Sequence, residues 1–223
     1  MADAYGRAAS YADRGVVITT FVHPDRREVH RKPFATLFQR PDRFRFELSD
    51  EFMGSRMVIW QETPPARVFW TIENQPKALD LAMAIAGATG ISGGSAVTIP
   101  RLLMPDLLTA WAVTEIEDPE DAVEEVIGSV RCARICGRHG GSTITMWIGI
   151  EDLLLRRMFQ ADHFGAAEHA AALASVPDDL RASLTQDMEG MSDFDTETDT
   201  LYEPTKDLSM PSDAFQRPAE IPP

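Results

Sequence analysis

The feature that most constrains this chain is a two-residue hydrophobic period running from Gly15 to Ile72. In "FRFEL", Phe44, Phe46 and Leu48 fall on one face and Arg43, Arg45 and Glu47 on the other. Val58 with Trp60 and Val68 with Trp70 repeat the device after turn-like breaks at "DEFMGS" and "ETPPA". Such alternation specifies strands with one buried and one wetted face, and short breaks between them specify antiparallel neighbours. Strands are predicted near 15–23, 28–40, 43–49, 55–62 and 66–72, after a short helix over Ala2–Tyr11.

The period then changes. Residues 76–89 carry Leu79, Leu81, Met83 and Ile85 among five alanines, with Pro76 suited to a first helical turn and Gly87 or Gly90 to an end. This predicts a helix apolar on nearly every side, and such a helix has to be buried. A second short helix is predicted over Pro100–Leu108, beyond the glycine-rich stretch at 90–94. Strand character returns in "TAWAVTEI", "EEVIGSVRCARICG", "STITMWIGI" and "LLLRRMFQ", with hairpin-like turns at "RHGGS" and "GIED". Residues 161–190 are alanine-rich and predict a helical insertion. A last strand near 194–203 and a Pro-rich tail, loose over about 217–223, complete a single domain spanning 1–223.

Charge narrows the function classes. With 21 basic and 35 acidic residues the net charge is -14, which removes nucleic acid as a leading partner. The bias is uneven. Residues 26–45 hold seven basic residues (Arg26, Arg27, Arg31, Lys32, Arg40, Arg43, Arg45) against Glu28 and Asp42. That segment is either a solvated face or an edge facing a partner. No run approaches the roughly 18 apolar residues of a membrane span, so the chain is read as not membrane-spanning. "MADAYGRAAS" lacks the order of a secretory signal, which leaves either a cytosolic protein or an exported one whose signal is gone.

Several motifs invite chemistry and fail on context. Gly90-Ile91-Ser92-Gly93-Gly94 spells G-x-S-x-G, but a nucleophilic serine needs a strand before it and a helix after it, and here a helix leads in. Serine esterase activity at Ser92 is therefore a remote alternative. "GATGISGGS" lacks the lysine of a phosphate loop, so a flexible joint is the better account. His163 and His169 are six apart, not three or four, and Cys132 and Cys136 would lie about 13 Å apart on one face of a strand, too far for a disulfide. No metal, cofactor or catalytic residue is indicated. The aromatic residues are more informative: Trp60, Trp70, Trp111 and Trp147 fall in predicted strands, and with Phe34, Phe38, Phe44 and Phe46 they give a sheet one broad apolar face. That face is either a plain core or the wall of a hydrophobic cavity.

Taken in order, "YADRGVV", "KPFATLFQRPDRFRFEL", "VIW", "VIGSVRCARICGRHGGSTITMWIGIEDLLLRRM" and "TLYEPTKDLSMPSDAF" resemble the running features of LolA-like periplasmic, lipoprotein-sorting-related proteins. The likeness covers roughly residues 5–160 and 194–218. It departs at Gly149, where an aspartate is expected, and at the insertion 161–190, and no lipobox cysteine stands near the N-terminus. The resemblance implies an α+β, mainly antiparallel fold: a strongly curved open half-barrel of about ten strands, with helices plugging the concave face. It further implies a periplasmic or cell-envelope carrier with no enzyme activity. Phe34, Phe38, Phe44, Phe46, Trp60, Trp70, Met83, Ile85 and Trp147 would line a cavity between sheet and plug, with Met53 and Met104 adding an adaptable wall. The implied partner is a hydrophobic ligand or lipoprotein acyl chain, with an envelope protein as a further partner. The alternative is an envelope sensor or interaction module of the same fold whose core is filled.

Overall fold

The computed structural model describes residues 1–165 and 193–221. The first part of the chain forms α1 (Ala2–Gly6), β1 (Ser10–Val22), β2 (Arg27–Gln39), β3 (Arg43–Asp50), β4 (Ser55–Gln61), β5 (Ala66–Trp70) and β6 (Lys77–Leu79). Two helices follow, α2 (Leu81–Thr89) and α3 (Ser95–Leu103). The strands resume as β7 (Val123–Ile127), β8 (Val130–His139), β9 (Ser142–Gly149), β10 (Leu155–Phe164), β11 (Phe194–Tyr202) and β12 (Thr205–Lys206). They make one antiparallel sheet in the order β6-β5-β4-β3-β2-β1-β11-β10-β9-β8-β7, with β12 on β1. Its two ends do not pair, so the sheet is open. This is the mainly antiparallel, open architecture with few helices that the alternation and the resemblance imply, with two more strands than expected.

Register decides which face each aromatic residue occupies. Phe46 lies opposite Thr36 on β2 and Ile59 on β4, and Phe44 opposite Phe38 and Gln61. Side chains that pair directly share a face, so Phe38, Phe44, Phe46 and Ile59 all point the same way. One core joins them to Ile144 and Met146 on β9, Met158 on β10, and Leu81, Ile85, Ile99 and Leu103 on α2 and α3. Residues six strands apart reach the same pair of nine-residue helices, which requires the sheet to curl around them.

Tight local fits hold this curl. Gly15 lies opposite both Phe34 and Tyr202, which meet edge to face at 5.6 Å, and a Cβ at Gly15 would collide with the Phe34 ring and with the Leu201 carbonyl oxygen. On the other face, Val58, Trp60 and Phe69 form a small cluster covered by Ile221. The C-terminal segment reaches them as a strap: Arg45 Nη1 donates to the Ala214 carbonyl oxygen, and the Arg43 guanidinium lies 4.7 Å from the centre of the buried Phe215 ring.

Several expectations need correction. Residues 2–11 are helical only as far as Gly6, because Ser10 and Tyr11 already pair with Gln39 and Phe38. The predicted helix 76–89 starts at Leu81: Lys77–Leu79 pair with β5, and the Asp80 carboxylate caps α2 by accepting from Ala82 N–H at 2.9 Å. The next helix covers Ser95–Leu103, not Pro100–Leu108, since Gly94 with φ 85° ends the joint early. "TAWAVTEI" is no strand: Trp111 Nε1 donates to the Glu115 carbonyl oxygen and its ring stacks on His139 at 4.0 Å, a compact turn. "EEVIGSVRCARICG" is a hairpin, broken at Gly128 with φ 61°. Residues 161–164, read as helical, extend β10, and residues 166–190 of the predicted insertion lie outside the described residues.

Gly15→Ala should lower the urea midpoint, at unchanged slope, by an amount equivalent to about 1–3 kcal/mol, because neither the Leu201 backbone nor Phe34 has room to yield.

Candidate functional site

Helices α2 and α3 form a plug on the inner face of the curled sheet. α2 contains no charged residue, and its only polar side chain is Thr89, whose hydroxyl donates back to the Ile85 carbonyl oxygen at 2.9 Å. It buries Leu81, Ala84, Ile85 and Ala88 against the sheet, while Met83, Ala86 and Gly87 face solvent. The expectation that this helix is buried all round is thus wrong. It sits as a roof, not as a filling, and Met83 is 65% exposed. An apolar helix half in water gives up free energy that a charged outer face would recover.

The joint between the helices uses Ser92. Its hydroxyl donates to the Thr89 carbonyl oxygen at 3.1 Å and accepts from Ala96 N–H at 3.1 Å, so the serine of the G-x-S-x-G stretch links the end of α2 to the start of α3. It is fully buried. Two side chains of β2 and the β2–β3 connection tie the plug down. Lys32 Nζ donates to the Ile91 carbonyl oxygen at 2.8 Å and lies 3.3 Å from the Asp50 carboxylate, and Arg40 Nη2 donates to the Leu103 carbonyl oxygen at 3.1 Å. Much of the remaining basic segment is neutralised locally, by Arg26–Glu28, Arg27–Glu197, Arg31–Glu51 and Arg43–Glu62 pairs.

A small opening leads under the roof. Leu48, Met57, Trp70 and Ile91 line a space of about 60 Å³ beside the Lys32–Asp50 pair, with Met53 at its lip. Phe52 and Met53, 70% and 62% exposed, stand at the turn between β3 and β4 that forms this mouth. A second hollow of about 600 Å³ lies on the opposite face, between Ala12, Ala35 and Leu37 and the strap residues Leu208 and Met210. It is half open, and the exposed charges of Arg14, Glu203 and Asp213 edge it. The mouth under α2 is the better candidate for an apolar guest because its walls continue into the aromatic core.

The predicted lining divides cleanly. Phe34, Phe38, Phe44, Phe46 and Ile85 converge in the core below the plug, and Trp70 packs at its edge by the mouth. Met83 is on the outside of α2. Met104 is buried in the same core, at the end of α3. Trp60 and Trp147 are not brought to this face: Trp60 lies under Ile221, and Trp147 donates from Nε1 to the Glu125 carboxylate at 2.7 Å with the Arg157 guanidinium over its ring. The strand of Trp60 carries apolar residues at both parities, as in "RMVIWQ", so only the register fixes which parity faces inward, whereas in "ITMWIG" Trp147 shares its parity with Thr145 and Gly149 and the inward face belongs to Ile144, Met146 and Ile148.

Sequence reasoning missed a buried polar group in the core. Asp13 is 3% exposed, accepts from Tyr11 Oη at 2.8 Å and from Thr36 N–H at 3.0 Å, and no ion pair reaches it among the described residues. Burial, opposed by these hydrogen bonds, pushes its carboxyl up to about 6. Burial also raises Tyr5, Tyr11 and Tyr202 above the ordinary phenol range. Tyr5 Oη accepts from Leu155 N–H at 2.9 Å, tying α1 to β10. The signal was the polar residue at inward parity in "YADRG", where an apolar one belongs.

These features define an open antiparallel sheet curled around a two-helix plug with a mouth at one end. No family model matches the chain, and no curated protein matches it either. Among solved structures it is similar to a DUF1329 family protein from Desulfovibrio piger, at 11% identity over 99% of this chain and 95% of that one, with a TM-score of 0.35. It is also similar to a Vibrio parahaemolyticus domain described as an outer membrane lipoprotein-sorting protein (6% identity, 96% and 93% covered, TM-score 0.37). A LolA superfamily protein from Nitrosomonas europaea gives 10% identity, 92% and 90% covered and a TM-score of 0.30. Likeness at this level carries no argument about activity, and the fold stands on the strand order of the chain itself. No helix among the described residues is long and apolar enough to cross a membrane.

Because the Asp13 carboxyl is raised in the folded state, folding takes up a proton between about pH 4 and 6. The stability it contributes is full below pH 4 and is lost as pH rises through about 6. Relative to Asp13→Asn, the wild type should lose about 2 kcal/mol of unfolding free energy between pH 4 and pH 7, measured by urea denaturation.

Proposed function

We propose that this chain is a non-catalytic carrier that takes an apolar ligand between its curled sheet and the α2–α3 plug. The observation that carries this reading is α2 itself, an uncharged helix lying as a roof over an aromatic floor, with Met83 in water and a glycine-rich joint at its end. A roof that swings on Gly90–Gly94 exposes Phe34, Phe46 and Ile85 to a guest entering past Met53 and Trp70. Each methylene buried there would contribute about 0.8 kcal/mol, set against the contacts the roof gives up, which limits affinity and permits release. Trp60 and Trp147 play no part in the lining, and Met83 meets the guest only in the opened form. A lipid or lipoprotein acyl chain is the ligand class, and the periplasm or cell envelope the matching location. One sheet that unites both ends of the chain supports a single domain over 1–223, with 161–190 as an insertion.

One observation favours a second reading. Phe38, Phe44, Phe46 and Ile85 are all fully buried, so the interior is filled in the closed form. An envelope sensor with that same core would use the exposed Phe52, Met53 and Ile72 for protein recognition.

The neutral fluorescent probe N-phenyl-1-naphthylamine separates the two. A carrier should bind it saturably, and Ser55→Trp, placed at the mouth, should slow uptake at least fivefold while leaving the unfolding midpoint unchanged. Absence of saturable uptake would remove the carrier and leave the sensor.

A further inference from the structure

The outer face of the sheet carries the hollow of about 600 Å³ that the carrier reading does not use. Register lays out its floor in two rows across β1, β2 and β3: Ala12, Leu37 and Arg45 in one, Arg14, Ala35 and Glu47 in the next. Its roof is the strap, through Leu208, Met210 and Pro211. The strap is pinned on both sides of the hollow. Ser10 Oγ donates to the Leu208 carbonyl oxygen at 2.7 Å and the Asp207 carboxylate accepts from Ala9 N–H at 2.8 Å, while on the far side Arg45 Nη1 donates to the Ala214 carbonyl oxygen at 3.2 Å. Between these pins no backbone hydrogen bond joins residues 208–213 to the sheet. The strap therefore arches away from the two alanines of the floor and leaves the space open.

Lining and charge together select one kind of occupant. The middle of the floor and the roof offer alkyl groups, which bind water poorly, so an apolar body that displaces that water gains free energy. Charges stand at the edges. Arg45 pairs with Glu47, and Glu47 also with Arg56. Arg14, Glu203 and Asp213 are exposed and enter no ion pair among the described residues. Arg14 and Glu203 are cross-strand neighbours, the Glu203 N–H donating to the Arg14 carbonyl oxygen at 2.9 Å, so their charges offset each other and Asp213 is left over. The net charge of -14 adds a long-range pull on cations and repels anions. We infer that this hollow binds a small amphiphile with an apolar body and a single positive charge, an alkylammonium or arylammonium ion. Apolar contacts carry the affinity, because exposed ion pairs contribute little, and the charges decide which sign is accepted. The site lies on the face away from the plug and does not depend on the carrier reading.

The cationic dye dimethylaminostyryl-N-methylpyridinium, whose emission rises in a confined apolar site, tests this at pH 7.5 and moderate ionic strength. The wild type should bind it saturably, and octylammonium should displace it at a concentration about fivefold or more below that needed with octanoate. Ala35→Leu, and Ala12→Leu in the neighbouring row, each extend a side chain from the floor into the open space and should weaken the dye by about tenfold. Glu203→Gln combined with Asp213→Asn keeps the hollow open and should narrow the preference for octylammonium to about twofold or less. Ser55→Trp, at the mouth on the other face, should leave the dye affinity unchanged. Absence of saturable binding, an affinity that ignores both alanine substitutions, or equal displacement by octylammonium and octanoate overturns the inference. Dye binding lost in Ser55→Trp places the dye under the plug and overturns it as well, while leaving the carrier reading standing.

Discussion

A large sheet with one apolar face must cover that face, and among the described residues two helices of nine residues, helped by Tyr5 of the short α1, do so. The other constraints follow from this. A flat sheet would leave most of its aromatic wall in water, so the strands curl until residues on β4 and β9 meet the same pair of helices. Curling brings long strands across one another closely enough that Gly15 has no room for a side chain. It also leaves an outer face with its own apolar residues, Val58, Trp60 and Phe69, and the C-terminal strap is spent covering those.

The plug is therefore the economical part of the molecule. Its inner side provides the contacts that close the core, while its outer side is no more polar than its inner one. A structure meant only to be stable gains from charges on the solvent side of such a helix. α2 instead keeps Met83, Ala86 and Gly87 there, while its inner side packs Leu81, Ala84, Ile85 and Ala88 into the core, and the polar ties of Lys32 and Arg40 go to the joint and to the end of α3. These are the traits of an element drawn from the low-stability end of a fold.

How much of this was legible in the sequence depended on how one-sided each strand is. "FRFEL" is apolar at one parity only, and it fixed both the strand and the face of Phe44 and Phe46. "RMVIWQ" is apolar at both parities, so Trp60 was placed on the wrong side of a correctly located strand; pairing with β3 settles it, and pairing is not local information. Trp147 fails for a different reason: in "ITMWIG" its parity neighbours are Thr145 and Gly149, so the strand already placed it on the face opposite to Ile144 and Met146, and its size alone suggested the inner face. The helix at 76–89 was shifted because Lys77–Leu79 join a sheet edge, a tertiary demand that outweighed the helical propensity of alanine and leucine. "TAWAVTEI" alternates like a strand but finds no neighbour to pair with and folds onto His139 instead. Of the site, the aromatic floor was readable from periodicity. The buried Asp13 was not, since the Thr36 N–H that it accepts from reaches it only when β1 pairs with β2.

The central claim is that the plug opens while the sheet stays folded, and native-state hydrogen exchange reads this directly. Amides of α2 should exchange through an opening whose free energy lies at least 2 kcal/mol below that of the β1 and β2 amides. If α2 and β1 amides exchange with the same free energy and the same denaturant dependence, the roof opens only when the whole protein unfolds, and no ligand enters by this route.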